Sequence, residues 1–240
     1  MTLKEQFISN FIVDSRWKYL LSGLGNTLTI AFFAVLMGVV IGVVVATVRS
    51  TYDKNRETLV RGNNILGFWL FACVNQICKI YLTVIRGTPV VVQLLIAYFI
   101  IFVSSTNGIM VASIAFGINS GAYVAEILRG GIMSIDGGQF EAGRSLGFNY
   151  VKTMIYIIIP QVFKSVLPTL LNEFIALLKE TSVAGYVGIV DLTKAGDIIR
   201  GRTFSAFLPL FAVAAMYLLM VIILTWLVGK LERRLRKSER

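Results

Sequence analysis

A chain of 240 residues that is 56% hydrophobic and only 15% charged is too apolar for one water-soluble core and fits a bundle of membrane helices. Its net charge of +10 collects in loops and a tail beside uncharged apolar runs, which points to orientation in a membrane rather than to nucleic-acid binding. There is no His, Cys73 and Cys78 lack metal-site spacing, and no G-x-x-x-x-G-K-[ST] loop occurs, so the commonest general base, a Cys/His metal centre and ATP binding by that motif are excluded.

Residues 1–19 carry Phe7, Phe11, Ile12, Trp17 and Tyr19 among polar residues, the pattern of an interfacial helix with aromatic anchors or of a frayed end. The first apolar run starts near Leu20 and is too long for a signal core, so no cleavable signal is expected. The first span is residues 20–48. It is uncharged, with Gly25, Gly38 and Gly42 placed for close helix approach, and Arg49 ends it. Residues 49–64 are polar and basic (Arg49, Lys54, Arg56, Arg61). Residues 65–82 are apolar but interrupted by Asn75, Gln76 and Lys79. Their length permits a span; the polar group predicts instead a helix at the cytoplasmic boundary, packed on the bundle.

The second span is residues 84–103, about 30 Å at 1.5 Å per residue, with Pro89 in its first turns. Gln93 falls near mid-membrane, where it either bonds a neighbouring helix or lines a polar path. The third span is residues 109–128. Tyr123 and Glu126 share a face, and Glu126 and Arg129 can pair at the inner boundary.

From Ser134 to Gln161 the chain turns polar. Asp136, Glu141 and Arg144 would each cost about 2.5–3.5 kcal/mol at a bilayer centre. Residues 139–146 have helix-forming composition, Gly137 and Gly138 precede them, and Gly147 can close the helix in a left-handed cap. A second helix opens near Asn149 and carries the apolar stretch from Met154 to Ile159. Such a structured loop is a docking surface or a passive connector held by its own caps.

The fourth span starts at Ile155, which buries Lys164, or near Ser165, which leaves Lys164 at the inner surface to snorkel. The second frame is preferred. It puts Lys179-Glu180-Thr181-Ser182 about 20 Å into the helix, where ionisable groups face a bundle interior or a wet cavity; in the other reading they solvate an outer helix end. Asn172, Glu173 and these four residues supply both charge signs and hydroxyls, as a zwitterion would need. Residues 189–204 form a polar outer loop, residues 206–228 the fifth span, and residues 229–240 a basic tail that attracts anionic lipid. Five spans with Lys and Arg concentrated in loops 49–82 and 129–154 and in the tail place the amino end outside and the tail in the cytoplasm.

Several of these stretches resemble one family. Glu141-Ala142-Gly143, Gly147 and Ile159-Pro160 resemble the E-A-A-x-x-x-G and I-x-L-P loop of ABC importer permeases, with Gly143 for Ala and Ile159 for Leu. Arg86-Gly87-Thr88-Pro89 and the following VVVQ, the LSGLGNTLTIAF opening, GAYVAEILRGGI, and KETS (Glu180 for Asp) resemble the polar amino-acid uptake branch. The resemblance covers residues 23–228. It implies an all-α polytopic fold of five transmembrane helices, a type I ABC importer transmembrane domain at 20–228, between an extracytoplasmic segment (1–19) and a cytoplasmic tail (229–240). It implies that Glu141, Ala142, Gly143, Ser145, Leu146, Gly147 and Phe148 contact an ATPase subunit as a coupling helix. It further implies a second permease chain, identical or related, an extracytoplasmic solute-binding protein, an amino acid as cargo, and a bacterial cytoplasmic membrane. The chain itself would be no enzyme and hold no cofactor, with ATP and Mg in the partner ATPase. Gln93, Asn172, Glu173 and Lys179 to Ser182 are the substrate-path candidates. A secondary transporter or channel is the alternative, although no inverted repeat is visible; a membrane enzyme lacks a nucleophile and base set.

Overall fold

A computed structural model describes residues 2–61 and 65–237. Met1, the link at 62–64 and the tail end at 238–240 lie outside the described residues. Ten α-helices follow one another with no strand among the described residues: α1 (Leu3–Phe7), α2 (Trp17–Arg61), α3 (Ile65–Gly87), α4 (Val90–Ile96), α5 (Gly108–Ser134), α6 (Gly137–Ser145), α7 (Tyr150–Thr153), α8 (Ile159–Glu180), α9 (Leu192–Thr203) and α10 (Phe207–Lys237). Five stretches are long and apolar enough to cross a membrane: Trp17–Lys54, Leu66–Gly87, Gly108–Ser134, Tyr150–Val187 and Phe207–Arg234.

The bundle is built on α2 and α5, which run parallel. Gly38 meets Ser120 and Gly121, and Gly42 meets Val124, so the partners advance together along both helices. A Cβ on Gly42 would stand 2.4 Å from Val124 Cγ1. Small residues let the backbones approach where lipid supplies no hydrophobic drive between helices. Gly25, expected to do the same, has open space around it. The core at one end joins Ile30 and Ala34 to Leu94, Val111, Phe116 and Leu177. The end at which α5 passes into α6 is called the loop end below, the opposite one the far end.

Five expectations need correcting. Arg49 does not end the first helix: residues 50–61 contain neither Gly nor Pro, and α2 continues to Arg61. Residues 84–103 are not one helix. Pro89 (φ −64°, ψ 135°) is extended and opens α4 rather than lying within its first turns, because Pro offers no N–H to α3 and pushes the preceding residue out of helical geometry. The apolar helix that follows, Val90–Ile101, is short and ends in a π-helical turn at Ala97–Ile101. Residues 65–82 belong to α3. Its Asn75 accepts a hydrogen bond from Arg49 at 3.0 Å, while Cys78 and Leu82 pack with Val45, Ala122 and Ala125. α3 therefore enters the apolar layer at the loop end, and α3 with α4 crosses as one interrupted span.

The fourth helix starts neither at Ile155 nor at Ser165. It runs on from α7 through a π-helical turn at Met154–Ile158 into α8. Val162 and Val166 pack on Gly131, two residues past Arg129, so Lys164 does lie at the level of the loop-end charges. Finally, the polar stretch 189–204 is largely helix. Asp191, fully buried, caps α9 by accepting from Thr193 N at 2.8 Å and Lys194 N at 3.1 Å. Leu192, Ala195 and Ile199 turn inward onto Leu20 and Val213. The amino-terminal segment is not frayed: buried Asn10 donates to Gln6 O and Ser205 Oγ and accepts from Thr203 Oγ1, tying it to the end of α9.

Candidate functional site: the loop between α5 and α7 and the charges above it

Two residues, Ile135 and Asp136, separate α5 from α6. Asp136 caps it by accepting from Gly138 N. Its far terminus is a two-bond glycine cap: Phe148 N donates to Gly143 O at 3.0 Å and Gly147 N to Arg144 O at 2.9 Å, with Gly147 at φ +78°. Asn149 then caps α7 by accepting from Lys152 N at 2.9 Å. The expected helix, left-handed glycine and second helix are all present, the first beginning at Gly137.

One face of α6 is pinned. Gly143 is buried against Thr153, and a Cβ there would lie 2.6 Å from Thr153 Oγ1. This explains the glycine where the family pattern has alanine. Phe140 stacks on Tyr150 at 6.3 Å and 14°, and the Lys54 ammonium, projected by the continuation of α2, sits 4.7 Å over Phe140. The opposite face is free. Glu141, Ala142, Arg144 and Ser145 are exposed, as is Leu146 at 69%. A short helix with a clamped back and an open front can transmit a push to α5 and α7 without unwinding.

Above the loop, α2, α3 and α5 join their charges. Arg129 bonds Asp53 at 3.1 Å, Arg49 approaches Asp53 at 4.0 Å, and Glu126 lies 3.7 Å from Arg129 and 3.8 Å from Arg86. The Arg86 guanidinium also stands 5.7 Å over Tyr123. The Glu126–Arg129 pair was expected from spacing. Asp53 and Arg49 were not, because they sit on a helix extension that hydropathy alone does not reveal.

The substrate-path candidates do not converge. Gln93 takes the structural course: its amide donates to Ile85 O at 2.7 Å and to Thr88, and its oxygen accepts from Asn119 at 2.9 Å. It staples the α3–α4 interruption to α5. Thr181 is fully buried and bonds Leu178 O at 2.7 Å. Asn172 and Lys179 are exposed, seven residues apart on one face of α8, whereas Glu173 and Glu180 are half-buried on the next. The chain remains inside the bundle past Glu180, since Ala184 and Val187 enter the same core as Ile30. Ser182 lines a far-end recess with Lys194, Asp197 and Arg200. Hydrogen bonds from Arg200 and Lys194 hold the Asp197 carboxyl below its ordinary range, while burial pushes that of Asp191 up against its N–H bonds.

The family model for the binding-protein-dependent transport system inner membrane component matches residues 64–237. The glutamine transport system permease protein GlnP of Escherichia coli strain K12 is 33% identical over 221 residues, 90% of this chain and 93% of that protein. A crystal structure of an amino acid ABC transporter with histidines superposes with a TM-score of 0.77 at 37% identity, over 93% of this chain and 98% of that one. The MetNI methionine ABC transporter in an inward-facing conformation shares the fold, with a TM-score of 0.73 at 17% identity over 98% and 99% of the two chains.

Proposed function

The chain belongs to the binding-protein-dependent transport system inner membrane component family, and on that basis we propose that it is the permease subunit of an ABC importer for amino acids, driven through α6. The carrying observation is the geometry of α6, clamped behind by Gly143–Thr153 and presented in front by Glu141, Ala142, Ser145 and Leu146. ATPase subunits, which hold the ATP and Mg, dock on that front together with Gly147 and Phe148. When they close, α6 carries the movement into α5 and into the continuous α7–α8 rod, opening and shutting a path between two permease chains by rigid-body motion. Residues 20–228 form the working domain. The tail and the α5–α7 loop face the cytoplasm, the amino end and α9 face outward, and a solute-binding protein delivers the amino acid there. A free-standing channel or secondary transporter leaves the presented face of α6 without a task.

The test is copurification and coupled assay. The chain should bring down an ATPase whose hydrolysis rises with loaded binding protein and drives amino-acid uptake into proteoliposomes. A permease that conducts an amino acid with no ATPase attached ends this reading.

A further inference from the structure

The motif Arg86-Gly87-Thr88-Pro89 has so far explained only a break in a helix. Its depth says more. Gln93 bridges Ile85 O and Asn119, so the Arg86 backbone lies level with Asn119, eleven residues into α5. That is about 16 Å from the far end of α5, against about 27 Å for Glu126. Residues 20–48 of α2 and 108–125 of α5 carry no charge, so the apolar layer on both helices closes only at Arg49 and Glu126. Arg86 therefore starts deep inside that layer and bends its side chain back to the boundary, yet this side chain is 45% exposed. It does not stand alone. Lys79, Thr83 and Arg86, at helical spacing, form an exposed polar stripe on α3. With Arg49 and Glu126 they line an open recess of about 480 Å3. A polar stripe at that depth cannot face lipid tails cheaply; such groups face a bundle interior or a wet cavity. Neither Arg86 nor Arg129 comes closer than 3.7 Å to Glu126, so this carboxylate keeps acceptor positions open.

We infer that this stripe faces the water-filled passage and that Arg86 and Glu126 form a station for the passing amino acid, Arg86 taking its carboxylate and Glu126 its ammonium group. The site holds both signs a zwitterion needs, at the level where the path meets the loop-end boundary. It rests on the proposed amino-acid transport, and the test separates the two.

Uptake by the complete complex is measured first, with radiolabelled L-glutamine and then each other standard amino acid. If none is carried, the proposed function fails, and this station with it. For the amino acid that is carried, equilibrium binding to the permease–ATPase complex in nanodiscs, without binding protein, is compared across variants. Arg86→Lys and Glu126→Gln should each weaken binding about tenfold. Arg86→Gln should also lose the preference for the amino acid over its decarboxylated amine. Size-exclusion profiles of the intact complex keep assembly in view, and Arg86→Lys preserves the charge if Arg86→Gln does not assemble. Binding within about twofold of the parent in both conservative variants overturns the inference. So does full recovery in the exchanged pair Arg86→Glu/Glu126→Arg, which marks a purely structural ion pair. As a second measure, Thr83→Cys in a Cys73→Ser/Cys78→Ala background should react with a charged, membrane-impermeant thiol reagent. No reaction, with activity that follows anionic lipid content, would put a phospholipid headgroup here and overturn the inference too.

Discussion

Gly143 and Gly147 stand four residues apart in α6 and its cap and do different work. At Gly143 the constraint is space. Gly143→Ala forces its methyl against Thr153, an overpacking that costs typically about 1–3 kcal/mol locally. The expected result is several-fold less amino acid carried per ATP hydrolysed, with Thr153→Ala restoring part of the loss in the double variant. At Gly147 the constraint is backbone conformation. Gly147→Ala at φ +78° should loosen the cap by about 1 kcal/mol, leave the bundle's melting temperature nearly unchanged, and uncouple hydrolysis from uptake; normal coupling in proteoliposomes would count against the lever. Asp191 makes a third case. Its carboxyl is raised by burial, so the folded state holds its proton better than the unfolded chain. Its ionisation thus subtracts stability as pH rises from the ordinary carboxylate range through the raised folded value. Asp191→Asn keeps the cap, and its melting temperature should decline less than the parent's over that window. Asp191→Ala should lose about 1 kcal/mol.

Among the elements, apolar run length proved a good guide to where α2, α5 and α10 begin, missed how far they continue, and was a poor guide to the second span. An eye for hydropathy joins residues 84–103 because nothing in them is charged after Arg86. It does not register that Pro89 stops one helix and starts another, or that Gln93 is there to repair the break. α9 was missed for the opposite reason. Its Lys194, Asp197 and Arg200 lie three apart and bond one another along the exposed face, so a helix reads as a charged loop unless Asp191 is noticed as its cap. The α6–α7 hairpin was legible almost whole, since glycine, Asp136 and Asn149 each act within a few residues of themselves. Contacts such as Asn119 to Gln93 depend on tertiary packing and left no local sign. Gln93→Leu should therefore lower stability by about 1–2 kcal/mol, the usual scale for buried polar contacts between membrane helices. Amino-acid affinity should be unmoved, as thermal unfolding and binding of the same detergent-solubilised complex would show.

For the molecule as a whole, charge counting on loops led to the orientation proposed above, and the structure adds landmarks for testing it. Ser145 on α6 and Ser205 beside α9 lie at opposite ends of the bundle. In a Cys-free background, Ser145→Cys should be protected from an impermeant thiol reagent in intact cells and Ser205→Cys labelled; the reverse pattern refutes the orientation. One face of α10, with Leu218, Leu219, Ile222, Ile223 and Trp226, is exposed along much of its length, as expected of a helix meeting lipid or a second permease chain.

The length of α2 has one more consequence. Forty-five residues without interruption make a rod of about 67 Å, planted at its start beside the Asn10–Thr203 tie and α9, and overhanging at its finish so that Lys54 rests on Phe140. The far-end cap of the protein and the rear of the α6–α7 hairpin thus share a single stiff spar. A tilt imposed where the spar meets α9 is therefore carried as one rigid movement to the back of Phe140.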